Sequence, residues 1–307
     1  LGDSDGPLPR MYWSPLYLAL EEALVDRNGL LNFFHDYLRK AVFDRYIQSA
    51  EEENELHGKL AQYFDKAPVG QRKVDELPWH FMKARQWEPL MDMLTNLSYD
   101  FFSALWGEDG YNMKYYWSVL EQNSSFNPSL AYDFILDDPA EFKMYLWEIG
   151  LLFNSLGYKN EAFKLQQYLI DEYRSKGFQH YYPVLGNQAN LLLESGRLDD
   201  AGRLFEEQEK ISLAADDYLV YINSIIGRAS VHFQKEEYEI AYRLFVEAAD
   251  LSPKYGITGN SYDLKQNQAA VLIKLGRSNE AKELLQLCLE YYKRQGNRSK
   301  YVGCLNN

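Results

Sequence analysis

Cysteine occurs only twice in the 307 residues, at Cys288 and Cys304, with no CxxC pair. The five histidines (His35, His57, His80, His180, His232) never stand in an HExxH or HxH spacing. A zinc framework is therefore excluded at the level of motif, and the two thiols read as reduced residues of a cytoplasmic protein. No apolar run approaches the roughly 18–20 residues that a membrane-spanning helix needs. There is no GxxxxGK[ST] phosphate loop and no GxSxG elbow, so neither nucleotide binding of that kind nor a nucleophile of that kind is encoded here. Acidic pairs such as Asp137-Asp138 and Asp216-Asp217 read as solvated helix starts. The chain is expected to carry no catalytic constellation, no metal and no cofactor of its own. Positive charge is also short: 32 Lys and Arg face 45 Asp and Glu, a net charge of −13. The acids are scattered, and such a surface repels phosphates, which argues against nucleic acid as a partner.

What is present is a soluble globular balance, 46% hydrophobic and 25% charged, with 25 Tyr, 16 Phe and 6 Trp and only 10 Pro in a chain that otherwise reads as helix. The length suits one large domain or two to three ordinary ones. The sequence begins at Leu1, and its first ten residues, LGDSDGPLPR, read as a loop, so the expectation is the middle of something longer.

The strongest internal signal is a repeat. A small residue is followed seven positions later by a turn residue and five positions after that by Ala: Gly150, Gly157, Ala162; Ala189, Gly196, Ala201; Ala229, Glu236, Ala241; Ala269, Gly276, Ala281. The four alanines fall 39, 40 and 40 residues apart, the mark of a stacked-repeat architecture. Two antiparallel helices that cross closely need small residues at the crossing, since a larger side chain would push the axes apart. A left-handed glycine ends the first helix without steric cost. Leu165, Leu204, Phe205, Leu244, Phe245, Leu284 and Leu285 then lie on the inward face of the second helix.

These segments resemble tetratricopeptide repeats, which place Gly or Ala at position eight, Ala at twenty and an aromatic or Leu at twenty-four. The period here exceeds the 34 residues usual for that family. Gln166 stands at position twenty-four of the first repeat and Glu236 replaces Gly in the third. The resemblance implies an all-α solenoid of helical hairpins that holds a protein ligand. In similar arrays the concave groove is lined from the first helices at positions two, five, nine and twelve. The matching residues are Trp147, Leu151 and Asn154; Asn190 and Leu193; Asn223, Ile226 and Phe233; and Asp263, Gln266 and Ile273. They carry no Lys or Arg, so the two-carboxylate clamp used by some relatives for chaperone tails is not expected.

Upstream, Trp13–Leu24 reads as a helix opened by Ser14 and Pro15. Asn28-Gly29 between Leu24-Val25 and Leu30-Leu31 is a hairpin signal, and a helix is expected from His35 to about Glu55. Pro78 reads as a helix start, Gly107 to Gly110 as a break, and residues 111–138 as two irregular helices joined through Asn123 to Pro128. The segment FFHDYLRKAVFDRY (Phe33 to Tyr46) resembles the winged-helix module that follows the nucleotide-binding domain in STAND-type signalling ATPases, the class that includes NACHT and NB-ARC proteins. Residues 57–94 resemble the helical connector of the same class. That resemblance implies a winged-helix portion at 1–56, a helical connector at 57–140 and a repeat array at 141–307. It also implies a nucleotide-sensing role for His35, with ATP and Mg bound only by a domain upstream, and ligand-dependent oligomerisation of the longer protein. Bacterial antiviral STAND proteins, which sense phage proteins, are one branch of that class. A constitutive tetratricopeptide scaffold and a winged-helix transcriptional regulator are the alternatives. Finally, the repeat period places Tyr301 to Asn307 in the first helix of a further repeat, with Val302 and Leu305 uncovered.

Overall fold

The computed structural model of the chain describes residues 9–27, 30–177, 181–257, 259 and 261–306. Among them are eighteen α-helices, one 3-10 turn and one two-stranded sheet, so the all-α expectation holds. The chain divides into two compact units, Leu1–Tyr132 and Asp133–Asn307. No helix among the described residues is long and apolar enough to cross a membrane.

The first unit opens with α1 (Arg10–Leu20), a 3-10 turn over Glu21–Ala23, and the antiparallel pair β1 (Leu24–Arg27) and β2 (Leu30–Phe33). Leu24 faces Phe33 and Arg27 faces Leu30 in the register. The expected Asn28-Gly29 turn lies outside the described residues. The helix expected over Trp13–Leu24 is corrected: α1 starts after Pro9, contains Pro15 and is over by Leu20. Proline in the second turn forfeits one backbone bond to Met11, an exposed residue, so it does not force the helix to begin there.

The single helix expected from His35 to Glu55 is in fact two, α2 (Asp36–Tyr46) and α3 (Ala50–Asp65). The break has a local cause. Ser49 Oγ accepts a hydrogen bond from the Glu52 amide at 3.1 Å, and Glu52 Oε2 accepts one from the Gln48 amide at 2.7 Å. Ser-x-x-Glu is a signature of a helix start, and here the Glu52 carboxylate reaches the amide of the residue just before the N-cap. Pro78 also departs from expectation, since it lies inside α4 (Gln71–Lys83) and is buried. Val74, Leu77 and Phe81 share its buried face. At about 1.5–3 kcal/mol for each buried side chain, that face outweighs the roughly 3 kcal/mol an interior proline costs.

The unit continues through α5 (Trp87–Leu94), α6 (Tyr99–Trp106), α7 (Tyr111–Asn123) and α8 (Pro128–Ala131). The break at Gly107 to Gly110 falls where expected. Asn127 caps α8 by accepting from the Leu130 amide at 3.0 Å, and buried Tyr132 donates its hydroxyl to the Leu94 carbonyl at 2.6 Å.

The second unit begins with α9 (Asp133–Asp137) and then stacks four hairpins: α10 (Leu146–Leu156) with α11 (Lys159–Ser175), α12 (Tyr182–Glu194) with α13 (Leu198–Ala214), α14 (Tyr218–Gln234) with α15 (Tyr238–Lys254), and α16 (Ser261–Lys274) with α17 (Ser278–Arg294). A last helix, α18 (Arg298–Asn306), follows; Asn307 is outside the described residues. All eight small residues of the repeat signature are buried. Every first helix ends in the same closure. The amides of Tyr158, Arg197, Glu237 and Arg277 donate to the carbonyls five residues back, Phe153, Leu192, His232 and Leu272, at 2.8, 2.9, 2.9 and 2.9 Å. The residue before each is left-handed, with φ of 90°, 75°, 62° and 74° at Gly157, Gly196, Glu236 and Gly276. Glu236 adopts the glycine conformation at a cost of roughly 1–2 kcal/mol, because the 6→1 closure is shared by the whole array.

Two approaches are closer than the repeat signature announced. A Cβ on Gly186 would stand 2.3 Å from Gln208 Nε2, and one on Gly227 would stand 2.3 Å from a Phe205 ring carbon. The contact between α12 and α13, and that between α13 and α14, is therefore set by glycine as well as alanine.

Candidate protein-binding surface

Periodicity decides which side chains the array can offer. Core positions of the first helices recur at i, i+3, i+4 and i+7, so the residues between them form a second stripe on the same helices. The eleven positions expected to line a groove lie on α10 (Trp147, Leu151, Asn154), α12 (Asn190, Leu193), α14 (Asn223, Ile226, Phe233) and α16 (Asp263, Gln266, Ile273), and none of them is buried. Asn190, Asn223 and Ile273 are exposed; the other eight are partly covered.

Some of these residues also serve the hairpins. Leu193 packs on the cluster of Ala189, Leu192, Ala201 and Phe205, and Ile226 and Phe233 pack on that of Ile222, Ile225 and Phe245. Phe233 further lines a small cavity of about 140 Å³ with Ser230, Gln234, Asn267 and Ala270. Asn267 is absent from the eleven positions; its signal was the shared asparagine at repeat position six, Asn187 and Asn267.

The one charged member of the stripe is already matched. Asp263 accepts from Lys300 Nζ of α18 at 2.7 and 2.5 Å and from the Tyr292 hydroxyl of α17. Burial and that carboxylate both push the Tyr292 hydroxyl pKa upward. Gln266 abuts α18 too, its Nε2 lying 3.3 Å from where a Cβ on Gly303 would be. At the other end Glu148 of α10 occupies position six; burial raises its pKa, and its Oε2 has no hydrogen-bond partner among the described residues.

In the first unit, His35 sits at the N-cap of α2, exposed, and its side chain makes no capping bond. Its ring stacks on Tyr37 at 5.1 Å and meets Phe34 edge-on at 4.6 Å. The structure also joins two histidines that lie 23 residues apart in sequence. His57 Nδ1 and His80 Nδ1 are 2.8 Å apart between α3 and α4, with Phe64 stacked on the His80 ring. Burial lowers the pKa of both, with Lys83 adding to the effect at His57 and Glu53 opposing it, and His57 adding to it at His80. Among the described residues, no group of three or more His, Cys, Asp or Glu side chains could hold a metal ion.

No protein-family model matches the chain. It is similar to a tetratricopeptide-repeat-containing protein of Dictyostelium discoideum, 27% identical over 206 residues that take up 63% of this chain and 12% of that protein. It is also similar to tetratricopeptide repeat protein 41 of Rattus norvegicus, 28% identical over 138 residues, 38% of this chain and 10% of the rat protein. The chain thus spans about a tenth of the length of these relatives. Among solved structures, that of NprR in complex with its cognate peptide NprX superposes with a TM-score of 0.50 at 14% identity, covering 96% of this chain and 82% of that one. The likeness is one of fold. Together with the closures and buried alanines described above, these matches make the second unit a tetratricopeptide-like repeat array.

Proposed function

We propose that the array is a protein-binding region that grips a polypeptide segment along the stripe from Trp147 to Ile273. The observation that carries this reading is the stripe itself. Four successive first helices leave side chains of this stripe unburied, with Asn190, Asn223 and Ile273 exposed, and the only charge among them, Asp263, is neutralised by Lys300. Amide and apolar side chains in such an arrangement suit a ligand read by backbone hydrogen bonds and small apolar anchors, as the cavity beside Phe233 would take, rather than by charge. The peptide held by NprR, a protein of like fold, supports this reading by analogy.

We further infer a regulatory setting. The resemblance of Phe33–Tyr46 to the winged-helix module of STAND ATPases supports the array as a sensor whose occupancy is relayed to a nucleotide-binding domain and thence to oligomerisation, with His35 touching the nucleotide in the resting state. A photo-crosslinking amino acid at Asn190 or Asn223 in the full-length protein, expressed in its own cells, is expected to trap one defined protein. Absence of an adduct at both positions would remove the groove reading. ATP hydrolysis by the full-length protein should then rise when that protein is added, and His35→Ala should raise the basal rate. A trapped partner with no effect on hydrolysis would leave a constitutive scaffold instead.

A further inference from the structure

The three junctions between successive hairpins are built alike at two places and differently at the third. At the first junction the residue after the signature alanine is Phe163, and Arg197 of the next hairpin places its guanidinium 5.6 Å from the ring centroid. At the last junction Tyr242 and Arg277 repeat the arrangement at 4.9 Å. In both, the arginine is steadied by the carboxylate three residues on, Arg197 by Asp200 at 2.5 Å and Arg277 by Glu280 at 2.6 Å. Each ring also packs beside a buried leucine of the following hairpin, Leu192 or Leu272.

The middle junction has none of these groups. The corresponding positions hold Gly202 for the ring, Glu237 for the arginine and His232 for the leucine. Where Gln188 and Gln268 stand in their repeats, the third repeat has Arg228. The ring is missing, the covering charge is inverted, and the apolar floor has become an imidazole. A cavity of about 520 Å³ opens there, with Gly202, Glu206, Arg228, Val231 and His232 in its wall. A Cβ on Gly202 would meet only Val231, at 3.7 Å, so the space beyond it is free.

The charges around the cavity are unevenly satisfied. Arg228 is paired with Glu209 at 2.6 Å and Lys235 with Asp199 at 2.5 Å, while Arg203 is held by Asp200 and His232 by Glu237. Glu206 has no such partner among the described residues. A free anion would have to displace carboxylates that are already bound. A cation meets a waiting carboxylate at Glu206.

We propose that this cavity is a docking slot for the pair of side chains the middle junction lacks, an aromatic residue adjacent to an arginine or lysine on a protein partner. The ring enters over Gly202 and packs on Val231, as Phe163 and Tyr242 pack in their own junctions, and the neighbouring cation pairs with Glu206. Arg228, Val231 and His232 lie on the flank of α14 opposite Asn223, Ile226 and Phe233, with Lys235 at its C-cap, so the slot is a second surface and does not rest on the groove reading.

The test uses the whole chain and a capped Tyr-Arg dipeptide as probe, followed by protein-observed NMR at concentrations up to about 10 mM, the range in which a two-residue contact registers. The dipeptide is expected to bind wild type and Gly202→Ala alike. Binding should weaken at least about tenfold in Gly202→Tyr, which fills the slot with the protein's own ring, and likewise for a capped Tyr-Glu dipeptide on wild type. Should Gly202→Tyr fail to fold, Glu206→Gln replaces it and is expected to weaken binding severalfold. Absence of binding to wild type, equal binding to the filled or neutralised variant, or binding of inorganic phosphate without the dipeptide would overturn the proposal.

Discussion

The N-terminal stretch and the repeat array are both helical, yet they treat their apolar side chains in opposite ways. From residue 9 to residue 57 no residue whose burial is described is buried. Met11, Leu18, Phe34, Tyr37 and Tyr46 all stand more than half exposed. In the array each hairpin buries both of its small crossing residues and an aromatic or leucine ridge beside them. Helix formation is thus not what separates the two regions. The array's helices have a partner surface shaped to receive them, and stability in a short helix comes mainly from that packing.

The comparison can be tested by removing packing where it is dense. Phe205, 2% exposed and pressed against Gly227, is expected to cost about 3–5 kcal/mol when replaced by Ala, read by urea unfolding. Overpacking should cost less: Ala269→Leu, or Gly227→Ala against the Phe205 ring, is expected to lose about 1–3 kcal/mol in the same measurement. Because stacked repeats couple to their neighbours, hydrogen exchange should quicken first in the hairpin that carries the change.

A milder perturbation reaches α3 and α4. The folded state holds His57 and His80 with lowered pKa values, so below the ordinary histidine value of 6.5 the unfolded chain binds more protons than the folded one. The stabilisation is complete above that pH and fades as pH falls through the lowered folded values. His57→Gln should flatten this loss in a series of thermal melts between neutral and acid pH. The smallest effect is expected where packing is absent: Leu18→Ser or Tyr37→Ser should change stability by no more than about 0.5 kcal/mol. A loss as large as that of Ala269→Leu would end the contrast between the regions.

The array was legible because its constraint is steric and periodic. Only Gly or Ala fits at residues such as Ala189, Ala201 and Ala241, and their spacing shows without any knowledge of contacts. The start of α1, the break at Ser49 and the place of Pro78 were misread because each depends on a balance of terms. A capping bond at Glu52 outweighed helix continuity, and a buried face outweighed a proline. Of the candidate surface, the stripe could be written down by position, but the state of its members could not. Asp263 is neutralised from α18, and sequence separation conceals the Lys300 that does it. The pairing of His57 with His80 was hidden for the same reason. The middle junction was visible all along as Gly202, His232 and Glu237, but only once the repeats were aligned and the ring–arginine contacts of the other two had given those positions a meaning.

The closures that end the first helices have a consequence for how such a chain can be rebuilt. Each is made by backbone groups alone and asks nothing of the side chains that follow, so a turn from one hairpin can stand in for that of another. Recombination between genes that cut and rejoined the chain at residues 157, 196, 236 or 276 would carry intact endings across. What such an exchange would scramble is the match between neighbours, a ring on one hairpin and a guanidinium on the next. The turns are interchangeable, and the order of the hairpins is written in what lies between them.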